Sequence, residues 1–192
     1  RGQEKVIGSR DGLFYINEAT GVVKSFVKPV LTSDLILTIS FYQGEYYIGT
    51  YGGGMMVLNP GTLSLKYFAQ GDTELFQKGH IFCVKPDAKG NLWIGTSQGL
   101  FCYKGQTKQI KYFTSANSQL PEGNVYEVSF DSTGKGWIAT ETGMCIYDPA
   151  SQSLRSNVFP EGFVHREKVR TIYEDAGHNL YFIREKGSLF TS

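Results

Sequence analysis

Cysteine is scarce in this chain: three in 192 residues, an odd number that excludes a complete disulfide framework. Cys83 and Cys102 fall on the first and third strands of one repeat unit, about 9.5 Å apart at the usual ~4.8 Å strand spacing, which is beyond disulfide reach. With Cys145 they read as buried free thiols, since no basic residue stands directly beside any of them to lower a thiol pKa. An excess of charge is lacking too. Lys and Arg number 19 against 18 Asp and Glu, scattered singly, so the net charge of +1 gives no footprint for nucleic acid or an anionic membrane. Long apolar runs are absent. None approaches the roughly 20 residues that span a bilayer, and the N-terminus has no signal-like apolar core, so the segment is expected to be soluble and to make no membrane contact. It opens in the middle of a repeat, which reads as a piece of a longer protein.

What is plentiful is glycine (23), tyrosine (12) and phenylalanine (13), a composition suited to many short strands joined by tight turns. The stretch Asn91-Leu92-Trp93-Ile94-Gly95-Thr96-Ser97-Gln98-Gly99-Leu100-Phe101-Cys102-Tyr103 reads as a β-hairpin, with Gly99 supplying a positive φ. Counting 44 residues on from Trp93, Ile94, Thr96 and Gly99 reaches Trp137, Ile138, Thr140 and Gly143, and the same step again reaches Tyr181, Phe182, Arg184 and Gly187. Counting back 46 from Trp93, Ile94 and Thr96 gives Tyr47, Ile48 and Thr50, with Gly52-Gly53-Gly54 carrying an insertion. A degenerate copy, Ile7 to Phe14, opens the chain. Self-similarity of this kind predicts an array.

Each full copy has four strands, A to D, as in Val125 to Phe130, Gly136 to Thr140, Met144 to Tyr147 and Leu154 to Phe159. The A–B turns, Asp87-Ala88-Lys89-Gly90 and Asp131-Ser132-Thr133-Gly134, place an Asp to bind backbone N–H groups and a Gly in the left-handed region. A calcium loop is excluded, because one carboxylate cannot replace the several oxygen ligands calcium needs. The B–C turns repeat Thr-x-x-Gly, and the C–D turns read Asn59-Pro60-Gly61-Thr62 and Asp148-Pro149-Ala150-Ser151. Two A–B turns depart from the pattern and are expected to differ in type: copy two has Phe41 in place of Asp, and copy five has Gly177-His178 in place of Lys89-Gly90.

Four-stranded units with no helix-period segment between them predict an all-β fold of β-propeller blades. The boundaries are a partial blade over 1–33, blades over 34–79, 80–123 and 124–167, and a partial blade over 168–192. Strands A and B are apolar at nearly every position, as expected for burial on both faces, and mixed strand D should be outermost. Trp93 and Trp137, mid-strand, are expected to be almost fully buried. About 4.4 repeats could close as a strained four-bladed ring or form an open arc, a fragment of a seven-bladed propeller. The second is favoured, with self-association, including homodimers, expected of its uncovered faces.

Gln119-Leu120-Pro121-Glu122-Gly123-Asn124-Val125, with Asp131, Gly134, Trp137-Ile138-Ala139-Thr140 and Gly143-Met144, resembles the two-component regulator propeller repeat. Asn91 to Thr96 with Gly99-Leu100 resembles its core signature more closely still. The resemblance implies the periplasmic sensor region of a bacterial hybrid two-component protein anchored in the inner membrane. Further blades, a histidine kinase and other signalling domains would lie elsewhere in the parent chain, and the ligand would be a glycan-derived oligosaccharide or related nutrient. The family's repeat residues are structural and assign no binding residue.

Since D–A and B–C connections share one side of a propeller, Asp34, Tyr51, His80, Ser97, Gln98, Asn124, Glu141, Lys168 and Arg184 are expected to ring one mouth as the ligand site. No cofactor, metal or catalytic residue is assigned. Asp87, Asp131, Asp148 and Asp175 are turn residues, and His80, His165 and His178 occupy unlike repeat positions without zinc spacing. The Gly49 to Gly54 run opens no helix and so is no phosphate loop. A protein-interaction scaffold is the alternative to a sensor, and a glycosidase or lyase fragment a weaker one. Glu127 and Arg170, on inner strands of adjacent blades, are expected to face each other, because a buried charge without a partner is costly.

Overall fold

The computed structural model describes residues 3–68, 73–156, 167–185 and 189–191. Among these, eighteen strands form five antiparallel sheets, with one short helix. The first sheet holds β1 (Glu4–Gly8), β2 (Leu13–Asn17) and β3 (Val22–Phe26), and the second holds β4 (Ile36–Tyr42), β5 (Glu45–Thr50), β6 (Met55–Asn59) and β7 (Ser64–Tyr67). Helix α1 (Thr73–Lys78) follows, then the sheet of β8 (Ile81–Pro86), β9 (Asn91–Thr96), β10 (Gly99–Lys104) and β11 (Gln109–Phe113). The fourth sheet holds β12 (Val125–Phe130), β13 (Gly136–Thr140), β14 (Gly143–Asp148) and β15 (Ser153–Arg155), and the fifth β16 (Val169–Glu174), β17 (Leu180–Arg184) and β18 (Leu189–Thr191). In every sheet the strands stand in chain order, so each is a simple meander. These are β-propeller blades. By contacts the chain divides into two compact units, Arg1–Val84 and Lys85–Ser192, with the division inside β8. The end of the strand expected over Leu154 to Phe159, together with Gly187 and His165, lies outside the described residues.

The A–B turns show why Asp recurs. Asp87 Oδ1 accepts from the backbone N–H of Lys89 at 2.9 Å and of Asn91 at 2.8 Å, while Oδ2 accepts from the Trp93 indole N–H at 3.0 Å. Asp131 repeats this with Thr133, Lys135 and, at 2.8 Å, the Trp137 indole. In copy five Asp175 takes the N–H groups of Gly177 and Asn179, and the Tyr181 hydroxyl donates to it at 2.8 Å. One carboxylate thus ties each turn to the aromatic residue of the next strand. The expectation that the copy-five turn differs is corrected: His178 takes φ 64°, where Gly90 and Gly134 take 76° and 81°, and its N–H likewise returns to the Asp carbonyl. Copy two does differ. Without the Asp, Gln43 (φ 48°) and Gly44 (φ 88°) make a two-residue turn between paired Tyr42 and Glu45.

The B–C turns are closed by fully buried threonines. Thr50, Thr96 and Thr140 donate their hydroxyls to the carbonyls of Gly54, Gly99 and Gly143 at 3.0, 2.9 and 2.8 Å. Ser9 does the same for Gly12 in the first sheet. In the C–D turns Asn17, Asn59 and Asp148 each accept two backbone N–H groups.

The first unit's core gathers Leu13, Tyr15, Phe26, Ile48, Met56 and Leu58. In the second, Trp93 is 1% exposed and lies against Phe113, Phe130 and Tyr147, whereas Trp137 is only partly buried and packs on Phe182. The expected full burial of Trp137 is therefore corrected, and the repeat shows one difference: Glu174 stands one step on from Phe130, so a carboxylate side chain replaces one of the rings that pack on Trp93. All three cysteines are buried free thiols. Burial, with Asp87 nearby, pushes the Cys102 thiol up to about 12 and raises Cys145 too, which makes both inert at neutral pH.

The turn carboxylates carry a pH prediction. Asn179, through its side chain and its N–H, and then Tyr181 hold Asp175 down at about 2. Burial pushes Asp131 up, but hydrogen bonds from Thr133, Trp137 and the Lys135 N–H outweigh it and leave Asp131 below the ordinary value. Stability from depressed carboxyls is present above the unfolded value of about 4 and is lost as pH falls through the folded one. The thermal midpoint is expected to fall between about pH 5 and pH 2, and to fall less in Asp131→Asn/Asp175→Asn. Equal slopes in the two proteins would show that the turns contribute nothing.

Candidate functional site

Three B–C turns are tied to the residue that precedes the inner strand of their own blade. Glu141 N–H donates to Asn124 O at 2.9 Å, Glu185 N–H to Lys168 O at 3.3 Å, and Tyr51 N–H to Leu35 O at 3.0 Å. This places Asn124 and Lys168 beside their turns as expected. In copy two the equivalent residue is Leu35, and Asp34 sits one place earlier, accepting from the Lys28 N–H at 2.9 Å.

In the second unit three of the expected residues meet. Glu141 Oε2 accepts from Asn124 Nδ2 at 3.0 Å and from the Tyr126 hydroxyl, and Oε1 pairs with Lys168 Nζ at 3.2 Å. Lys168 also pairs with Glu185 at 3.1 Å, which takes Arg170 at 3.1 Å as well. Lys168 and Arg170 lie over the Tyr126 ring, 5.2 and 4.5 Å from its centroid, and Arg184 pairs with Glu167. The Tyr126 hydrogen bond, then Lys168 and Asn124, hold Glu141 below the ordinary carboxylate range, and Lys168 and Arg170 do the same for Glu185. Glu185 chiefly raises Lys168. With both carboxyls held low, neither Glu141 nor Glu185 is the raised-pKa acid that glycoside hydrolysis requires. The arrangement gathers charged donors and acceptors at one place on the blade ends, with the Tyr126 ring buried beneath the two cations.

Ser97 and Gln98 stand nearby in the same unit, lining a shallow depression with Glu122 and Gly123, and the Gln98 carbonyl accepts from the Tyr112 hydroxyl at 2.6 Å. In the first unit Tyr51 packs on His80 with ring centroids 4.1 Å apart, and His80 on Phe82 at 6.1 Å. Among the described residues no group of three or more His, Cys, Asp and Glu could hold a metal ion.

Tyr126, Glu167 and Glu185 escaped the sequence reading, and Arg170 was expected in a different pair. Tyr126 and Arg170 are the extra residues of β-bulges, where the pairing jumps from Val125 to Glu127 and from Val169 to Thr171. The same bulge, between Ile36 and Thr38, recurs in β4. The signal was a six-residue inner strand pairing with five residues of β13. The bulges also correct the expected Glu127–Arg170 pair: simple alternation does not carry through them. Glu127 pairs with Lys85 at 3.0 Å, and Arg170 with Glu185.

The repeated meanders with Asp and Thr turn locks define a β-propeller blade array. Within it, residues 76–98 match the family model of the two component regulator propeller, where the sequence resemblance is strongest. No curated protein matches the chain in sequence. In structure the chain is similar to the extracellular domain assigned to the hybrid two component system BT3049 of B. thetaiotaomicron, at TM-score 0.79 and 24% identity, over 98% of this chain and 26% of that one. It is similar also to the extracellular domain of BT4673 from the same organism, assigned to a hybrid or a one component system, at TM-scores of 0.78 and 0.77 and 19% identity, over 100% of this chain and 26% of that one. The chain thus spans about a quarter of the length of these structures. Among the described residues no helix is long and apolar enough to cross a membrane.

Proposed function

We propose that the chain is an extracytoplasmic sensor segment of a two-component signalling protein, that it recognises a glycan-derived ligand through its B–C and D–A loops, and that it performs no catalysis. The observation that carries this reading is the likeness of nearly the whole chain to extracellular domains assigned to such systems, combined with the match at 76–98. The periplasm is the compartment this reading assigns, as part of an inner-membrane-anchored parent whose histidine kinase and further blades lie elsewhere. In the second unit Ser97, Gln98, Asn124, Glu141, Lys168 and Arg184 are the residues offered to the ligand; Asp34, Tyr51 and His80 are the loop residues that the first unit offers on its own.

The test is a library of defined oligosaccharides read by thermal shift. A ligand near 100 Kd stabilises by about 2.7 kcal/mol, a shift of several degrees. Glu141→Gln, whose unliganded midpoint is measured first, is expected to abolish the shift. Failure of every oligosaccharide would sink the glycan reading, and an unchanged response in Glu141→Gln would clear the loop cluster. The second reading, a protein-interaction scaffold, draws on the exposure of Val23 (70%) and Val30 (58%) in the first unit, and predicts capture of a protein lost in Val23→Lys.

A further inference from the structure

Away from the loop cluster, the second unit carries a groove between the outer strands of two adjacent blades. One cavity of about 360 Å³ is lined by Lys89, Lys104, Lys111, Phe113 and Tyr147, among others. A second, of about 450 Å³, shares Lys111, Phe113 and Gln152 with it and continues past Asn117 and Gln119. Three cations therefore converge on one channel, and among the described residues none of them forms an ion pair with a carboxylate. Lys104 and Lys111 line the first cavity together with Cys102. Lys111 Nζ donates to the Gln152 carbonyl at 3.0 Å and lies 4.7 Å over the Phe113 ring, so it is held in place while further N–H donors stay open. The nearby acids are already engaged: Asp87 by its turn and the Trp93 indole, Asp148 by its turn and Arg155 at 3.5 Å.

We infer that this groove is an acidic-sugar subsite, in which Lys104 and Lys111 hold the carboxylate or sulfate of an anionic oligosaccharide. The inference rests on the proposed glycan reading and adds the ligand's charge. Amines around a recess that form no carboxylate ion pair favour an anion, while the amide of Gln106 and the hydroxyl of Thr107 match a sugar's hydroxyls. Lys89, which also lines the first cavity, adds to the positive field.

Trigalacturonic acid and neutral galactotriose are the probes, titrated into the full chain by calorimetry at physiological salt. Trigalacturonate is expected to bind, galactotriose to bind at least about tenfold more weakly, and Lys104→Gln and Lys111→Gln each to weaken trigalacturonate about fivefold, as loss of a partly exposed charge contact allows. Lys108→Gln is the control, since it removes the same charge from the same hairpin, where Lys108 lies over Tyr103 outside the groove. It is expected to change binding less than twofold. Equal losses in all three variants would reduce the effect to diffuse charge, and equal binding of both sugars, or none of trigalacturonate, would overturn the subsite. A neutral oligosaccharide whose binding needs Glu141 and not the lysines would overturn it while leaving the sensor reading intact.

Discussion

Trp93→Ala is expected to cost about 3–5 kcal/mol and to lower the thermal midpoint by roughly 10 °C or more. Trp93 is 1% exposed, lies 4.5 Å from the Tyr147 ring and 5.9 Å from those of Phe113 and Phe130, and donates its indole N–H to Asp87 at 3.0 Å. Truncation opens a cavity among three rings from two blades and withdraws a donor from the carboxylate that closes the A–B turn. Trp93→Phe keeps most of the packing and loses the donor, so it should cost closer to about 1–3 kcal/mol. Trp137→Ala, at a partly buried site, should cost less than Trp93→Ala. Urea denaturation checks the order, and equal midpoints for Trp93→Ala and Trp137→Ala would contradict it.

The contrast between the two tryptophans shows what a repeat makes legible. Position in the blade was readable, because Trp93 and Trp137 share a strand, a turn Asp and a spacing. Burial was not, because it depends on the next blade, where Phe130 is replaced one repeat later by Glu174. The same limit applies at the candidate site. Asn124, Glu141 and Lys168 were reachable by counting, since loops at equal repeat positions lie at equal places on a blade. Tyr126 and Arg170 were not, since one extra residue in each inner strand turns the side chains that alternation would have assigned elsewhere. His178 marks the opposite case: the turn kept its geometry although the glycine was lost, because Asp175 still gathers the N–H groups that fix it.

Helix α1 was invisible to periodicity for a different reason, and it yields the second large effect. Six residues, Thr73–Lys78, are too few to show a 3.6-residue pattern or to be stable alone, so the helix exists by docking. Leu75 and Phe76 are 1% and 0% exposed, the Gly54 N–H donates to the Gly79 carbonyl at 2.9 Å, and the Gly79 N–H returns to Leu75 O at 2.7 Å. The trace left in the sequence was the triple glycine together with a 46-residue step where the others are 44. A Cβ on Gly54 would stand 2.0 Å from Phe76 O and 2.3 Å from Phe76 C, at φ +72°. Backbone cannot yield as a flexible side chain can, so Gly54→Ala must push α1 off the turn. It is expected to cost about 3 kcal/mol or more, with Leu75 and Phe76 partly uncovered. Gly44→Ala supplies the comparison: φ is +88° there with nothing within 4 Å of the new Cβ, so only the conformational cost of about 1 kcal/mol applies. The difference between the two variants in urea isolates the clash with α1, and a Gly54→Ala no less stable than Gly44→Ala would mean that the helix is not seated on this turn.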